Sequence, residues 1–377
     1  MRSLKSLLFL FFALTSTLIS SAQTTLSDKA EITLLTCGPG NELYSVFGHT
    51  AIRVYDPTTR TDIVYNFGAF DFSTPNFYAK FTKGDLQYFV TTSSYEDFVY
   101  TYMHYNRDVF EQVLNLTPVQ KQAIADELNN TLLDDSKRFY TYEFIHRNCT
   151  TMVADIINKH LEQKISLENP DKGLTYREII FSRLDNHFFE NLGIQITFGA
   201  PTDDTSTVLF LPNELMEGVG NTKTPRGSLE TRRVNVYESQ EGQPLSWWNN
   251  YYAFGAVCLL LAASSGKRPV QLGVVVLSGF MGLFLCVVML YSSHSEVLKN
   301  YNVALLNPFT LVLLFHMIRG NHNQIIKTCR SLLVFIAVYL VFMYNKPHLF
   351  MILPLIVLIG VTYFRIMLSA KKQLPNN

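Results

Sequence analysis

The sequence predicts an α+β exported domain, an antiparallel sheet with helices, followed by an all-α bundle of five transmembrane helices. Three observations carry this expectation. The chain opens with a basic, then apolar, then small-residue leader. Residues 23–200 pass from short strand-like runs to helical periodicity. From Trp247 onward apolar residues dominate. The expected divisions are a leader over 1–22, an exported domain over 23–200, a connector over 201–246, five spans within 247–370 and a cytoplasmic tail over 371–377.

The leader has the three parts of a secretory signal. Arg2 and Lys5 supply the positive start. Leu7 to Ile19 is an apolar run below spanning length, diluted by Thr and Ser. Ser20-Ser21-Ala22 offers small residues to a peptidase, so cleavage is expected before Gln23. No cysteine stands there, which excludes a lipoprotein signal. An uncleaved anchor is the alternative.

The first half of the exported domain reads as strands. Glu31–Thr36 is a short apolar run. Ala51–Tyr55 and Ile63–Phe67 flank the turn-rich Asp56-Pro57-Thr58-Thr59-Arg60 and suggest a hairpin. Leu86–Thr91 and Asp108–Leu116 are further strand candidates, and the aromatic stretch from Tyr65 to Tyr88 suits strand faces. Helices follow. Thr117-Pro118-Val119-Gln120 combines a cap, a proline at the first helical position and a glutamine at the third. Ile124, Leu128 and Leu132 then recur at helical spacing. A second helix should begin at Asn148 or Cys149, with Asn148 as its cap. Val153, Ile156, Ile157, His160 and Leu161 form its apolar stripe. A third is expected from Thr175 to about Asn186. Residues 201–246 read as a connector with one apolar piece, Val208–Met216, and an irregular polar stretch, Asn221–Ser246.

The membrane segments are expected at Trp247–Ala263, Val270–Tyr291, Val303–Met317, Leu332–Tyr344 and Leu349–Leu368. Lys267, Arg268, Arg319, Lys327, Arg330, Lys371 and Lys372 fall on one side of this arrangement. Only Lys299 and Lys346 fall on the other. The basic side should be cytoplasmic, which puts residues 23–246 outside, in agreement with the leader. Trp247, Trp248, Tyr251 and Tyr252 would form the outer aromatic belt.

Lys and Arg number 31, as do Asp and Glu, so the formal charge is zero. No basic run suggests nucleic acid. No nucleotide motif is present, and no cofactor is implied. Cys37 and Cys149 lie in the exported part, where the compartment is oxidising, so a disulfide between them is one expectation.

The other expectation is chemical. His49 sits where a glycine-rich loop enters a strand. Cys149 sits at a helix start, where the helix end and a histidine would both lower its pKa. Backbone N–H groups of that first turn could bind an oxyanion. A histidine base and a cysteine nucleophile are the essential parts of a thiol acyl-transfer site. A third polar group usually orients the histidine. If the hairpin closes so that residues 51 and 66 face each other, Asn66 lies diagonally beside His49. Tyr44, Tyr65 and Asp62 remain alternatives. His146 precedes the helix and shapes its loop. Cys37, His49, His146 and Cys149 could supply four zinc ligands, but no close CxxC or HxxxH pair exists, so no metal site is expected.

Thr36–Val54 (TCGPGNELYSVFGHTAIRV), Tyr65–Phe72 (YNFGAFDF), Phe81–Asp85 (FTKGD) and Asn148–Thr151 (NCTT) together resemble the periplasmic domain of the Lnb-type lipoprotein N-acyltransferases of Bacteroidota. The polytopic C-terminal half is similar too. The order of histidine, then an Asn-Cys opening a helix, also resembles circularly permuted papain-like folds, including lecithin:retinol acyltransferase. The resemblance implies that His49 and Cys149 are base and nucleophile, with a polar orienting residue near Asn66. It implies that an acyl chain moves from a phospholipid, through a Cys149 thioester, to the α-amine of the N-terminal diacylglyceryl-cysteine of lipoproteins. The expected setting is a bacterial inner membrane, with the N-terminal domain in the periplasm. A membrane-anchored cysteine peptidase or amidase acting on cell-wall peptide could use the same dyad. A non-catalytic assembly or sensor domain with a Cys37–Cys149 disulfide is the third possibility.

Overall fold

Seven strands form one antiparallel sheet in a computed structural model that describes residues 25–240 and 246–374. The leader and its expected cleavage site lie outside the described residues. The strands are β1 (Glu31–Cys37), β2 (His49–Asp56), β3 (Thr61–Ala69), β4 (Gln87–Ser94), β5 (Val109–Leu114), β6 (Phe139–Thr141) and β7 (Glu230–Tyr237), in the order β6-β4-β3-β2-β1-β5-β7. The β2–β3 hairpin closes through a turn in which Arg60 is left-handed, at φ 58. Its register pairs Ala51 with Asn66.

The helices of this domain are α1 (Phe77–Lys83), α2 (Tyr95–His104), α3 (Pro118–Leu133), α4 (Cys149–His160), α5 (Tyr176–Ser182), α6 (Phe188–Thr197) and α7 (Pro212–Asn221). Side-chain alternation gives the sheet two covered faces. Ile32, Leu34, Ile52, Val54, Tyr65 and Phe67 pack beneath α3, α4 and α7. Leu35, Cys37, Ala51, Val64 and Val109 face the other way, against Phe98 of α2.

Three parts differ from the sequence reading. The aromatic stretch from Tyr65 to Tyr88, expected to be strand, contains a helix, α1, and a further helix, α2, follows β4 in a segment left unassigned. Ser94 caps α2 by accepting from the Asp97 N–H, with Glu96 and Asp97 in its first turn. The third expected helix stops at Ser182, and a separate helix, α6, follows. The segment read as a connector is built into the fold. Residues 212–221 form α7, and residues 230–237 form β7, which pairs with β5 at the sheet edge.

The C-terminal part contains α8 (Tyr251–Ser264), α9 (Arg268–Tyr291), α10 (Thr310–Arg319), α11 (His322–Met343) and α12 (Leu349–Lys372). Among the described residues only α9, α11 and α12 are long and apolar enough to cross a membrane. The expected count of five spanning helices is thus three of full length and two short ones. The stretch expected over Val303–Met317 is broken: a 3₁₀ turn covers Tyr301–Ala304, and Pro308 lies ahead of α10 rather than within a span. A Cβ at Gly282 would collide with the Leu306 carbonyl oxygen, so glycine there lets the broken segment lie directly on α9. The fourth helix begins ten residues earlier than expected, at His322, because Gly320 (φ 66) ends α10 and Asn321 caps α11. Lys327 and Arg330 therefore lie on a helix, not in a loop. Pro354 is inside α12.

The two parts are joined by hydrogen bonds. Ser292 Oγ donates to the Thr82 carbonyl (2.8 Å), the Ser293 N–H donates to the Lys83 carbonyl (2.8 Å), and His294 Nε2 bonds the Phe81 carbonyl (2.9 Å). Asn300 and Asn302 donate to carbonyls of residues 195–197, the otherwise unpaired end of α6. Asp203 takes Arg177 (2.7 Å) and, from the membrane side, Lys346 (3.0 Å).

Candidate active site

Asn148 builds the start of α4. Its Oδ1 accepts from the N–H groups of Thr150 (2.9 Å) and Thr151 (3.0 Å), and its own N–H donates to Thr151 Oγ1 (2.9 Å). Its amide nitrogen donates to the carbonyls of Phe144 (2.7 Å) and Phe210 (2.9 Å). The cap is therefore locked on both sides, and Cys149 is held at the first helical position.

Burial pushes the Cys149 thiol up. The charge of protonated His49, a hydrogen bond with His49, the Thr50 N–H and the Thr150 hydroxyl together outweigh it, and the net effect lowers the thiol below its ordinary value. Cys37 is the opposite case. It is fully buried, and burial drives its thiol far up despite the nearby Arg107 and Tyr102. Both cysteines are free, so the structure does not contain the Cys37–Cys149 disulfide. The contrast predicts selective alkylation. Iodoacetamide should modify Cys149 in the folded protein and spare Cys37. Only the thiolate reacts, so the Cys149 rate should hold below the pH range of an ordinary thiol and fall as pH drops through its lowered pKa. His49→Ala should shift that fall to higher pH. Equal reactivity of the two thiols, followed by peptide mass spectrometry, would refute the assignment.

His49 opens β2, and its ring lies on the α2 side of the sheet, parallel to Tyr102 (centroids 6.3 Å, planes 11° apart). Cys149 belongs to a helix on the opposite face. The two side chains meet at the end of β2, where the sheet no longer separates them. There Thr50 Oγ1 and Thr150 Oγ1 are 3.0 Å apart, tying β2 to the first turn of α4. His49 Nε2 faces Asn66 Oδ1 at 3.4 Å. Asn66 Nδ2 donates to Ser93 Oγ (3.4 Å) on β4.

The other candidates are engaged elsewhere. Tyr65 donates its hydroxyl to Asn129 Oδ1 (2.6 Å). Asp62 pairs with Arg53 (2.7 Å), which also binds Glu111 (2.7 Å). Tyr44 is exposed and packs on Phe70 and Phe72. His146 is exposed in the loop before α4, its ring against Tyr176 at 6.2 Å. Among the described residues no group of three or more His, Cys, Asp or Glu side chains is placed to hold a metal ion.

Four neighbours escaped the sequence reading. The ladder between β3 and β4 is irregular between Asn66 and Ala69, and Gly68 adopts φ +97. A Cβ there would lie 3.6 Å from Cys149 Cβ and 4.0 Å from Tyr140 Oη, so the bulge brings bare backbone against the nucleophile. The Phe67-Gly68 pair within an aromatic strand was the available signal. Among the described residues Tyr140 Oη is buried without a hydrogen-bond partner. Burial raises its pKa, so it stays a donor. Tyr102 packs on the His49 ring. Glu296 comes from the loop after α9, is 1% exposed, and its Oε1 accepts the Ile145 N–H at 3.0 Å. The membrane part thus holds the loop that delivers Cys149. No sequence signal marks a contact across 151 positions. A thiol with a lowered pKa, an imidazole, an amide facing that imidazole and a buried phenol nearby are the kinds of group that nucleophilic acyl transfer uses.

Residues 21–182, which contain His49, Asn66 and Cys149, match the family model of the Lnb N-terminal periplasmic domain. Residues 251–373 match that of the Lnb transmembrane domain. No curated protein and no solved structure matches the chain.

Proposed function

Because the chain belongs to the Lnb family, in which a periplasmic domain is joined to a transmembrane one, we propose that it is a cysteine-dependent lipoprotein N-acyltransferase. The observation that carries this reading is Cys149 at the capped start of a helix, in contact with His49, in a domain bonded to membrane helices. In the first step His49 takes the thiol proton and the thiolate attacks the ester carbonyl of a phospholipid. The ester C–O bond breaks, His49 returns the proton to the departing glycerol oxygen, and a lysophospholipid leaves. The acyl group remains on Cys149 as a thioester. In the second step the α-amine of a diacylglyceryl lipoprotein's N-terminal cysteine attacks that thioester. His49 takes the amine proton and passes it to the departing sulfur, which frees Cys149. Two acyl transfers replace one difficult one. Thiol and imidazole complete this chemistry without a cofactor.

The setting follows from the same reading. An odd number of crossings, three or five, puts the N-terminal domain in the periplasm and the C-terminus in the cytoplasm. The order of histidine strand and cysteine helix supports a circularly permuted papain-like fold. A peptidase would need the membrane part only as a tether, whereas Glu296 ties it to the loop just before Cys149 and Lys346 ties it to Asp203. The decisive measurement is mass spectrometry of lipoprotein N-termini from a host lacking its own lipoprotein N-acyltransferase. Expression of this chain should convert diacylated N-termini to triacylated ones. Unchanged N-termini with well-expressed protein would refute the proposal.

A further inference from the structure

Helix α1 is held at one edge and bare elsewhere. None of its residues is buried. Tyr78 is 77% exposed, and Phe81 and the preceding Phe72 are also exposed. The place of this helix is set by the membrane part. The 24 residues of α9 span about 36 Å at ~1.5 Å each, slightly more than a hydrocarbon core of ~30 Å. Its last residue, Tyr291, therefore lies at the headgroup level, where aromatic rings concentrate. Lys83 sits over that ring at 5.8 Å. The next three residues, Ser292, Ser293 and His294, bond the last carbonyls of α1. An exposed aromatic helix is thus fixed at the bilayer surface, on the side of the exported domain.

The rings also continue inward. Phe72 and Phe77 are 4.9 Å apart, Phe70 and Phe77 5.9 Å, Phe70 and Tyr88 5.2 Å, and Tyr88 and Tyr140 6.4 Å. Tyr140 stands beside Cys149 across Gly68. We propose that Phe72, Tyr78 and Phe81 form a lipid-binding lip that enters the bilayer leaflet beside α9 and takes one acyl chain of a phospholipid, which Phe70, Phe77 and Tyr88 then lead toward Cys149. The inward direction rests on the acyltransferase reading; the lipid contact does not. The chemistry fits. Rings with polar tips favour the headgroup boundary, and their faces take an alkyl chain. Lys80 and Lys83 in the last turn lie where phosphate groups would be.

The test uses the full chain in phosphatidylcholine bilayers. The background carries Trp247→Phe and Trp248→Phe, which removes the two native tryptophans. Tyr78→Trp then reports on the lip, and Thr59→Trp, in the turn at the far end of β2, reports on water. As acyl-brominated phosphatidylcholine replaces the ordinary lipid, emission from position 78 should be progressively quenched, while that from position 59 should not. Equal, unquenched emission from both positions would overturn the lip. A triple change, Phe72→Ser, Tyr78→Ser and Phe81→Ser, should slow acyl loading of Cys149 from phospholipid about tenfold or more while leaving its alkylation by iodoacetamide unchanged. Unchanged loading would overturn the path to the thiol. Quenching at position 78 in a protein that transfers no acyl group would uphold the lip and refute the acyltransferase reading.

Discussion

Cys149→Ser should abolish acyl transfer, lowering it by about 10⁴-fold or more. The reason is electronic, not steric. A hydroxyl fits the site, but its pKa lies far above that of a thiol. The Thr50 N–H, the Thr150 hydroxyl and His49, which outweigh burial for the thiol, cannot ionise an alcohol to a useful extent. The fold should survive, because the Asn148 cap and the Thr50–Thr150 contact do not use the sulfur. The measurement is the fraction of triacylated lipoprotein N-termini, with protein level and thermal unfolding as controls. Retained transfer in the serine variant would remove Cys149 from the mechanism. Cys37→Ser, by contrast, changes a fully buried thiol that pairs across the sheet with His49 but whose pKa burial drives up, so it should cost far less turnover than Cys149→Ser.

His49→Ala should cause a loss of similar size, since the residue is asked both to ionise the thiol and to move protons in two steps. Asn66→Ala should cost less, about 10²-fold. It removes only the partner that faces Nε2 at 3.4 Å, and Tyr102 still stacks on the ring. Asn66→Asp is the informative variant. A carboxylate beside the ring favours imidazolium, so the base is lost at higher pH than in the parent, and the rising limb of the rate–pH profile should move up. Turnover against pH in the three variants separates a positioning amide from a structural one. If Asn66→Ala weakened the fold alone, the profile would keep its midpoint.

Much of the site was legible because its parts are local. Asn148-Cys149-Thr150 announces a capped helix with the cysteine first, and capping uses groups within three residues. The turn between β2 and β3 sets which residues oppose each other, so the placement of Asn66 near His49 followed from counting along a hairpin. The Thr117–Gln120 capping box worked in the same way. Ser94 followed by Asp97 carries a comparable signal for α2, in a segment the sequence reading left unassigned.

What the chain determines by itself is therefore local: caps, hairpin register, apolar length and the residue types able to do thiol chemistry. These follow from hydrogen bonds and periodicities that close within a few residues. The tertiary structure decided the rest. It seated β7 against β5 after a long excursion, and it broke the third apolar stretch over Gly282. It brought a base from one face of the sheet to a thiol on the other at the end of β2, and bonded Glu296 to the loop before α4. Each of these depends on backbone groups distant in sequence that must find partners once buried. Which partner each group finds is decided by how the whole chain packs.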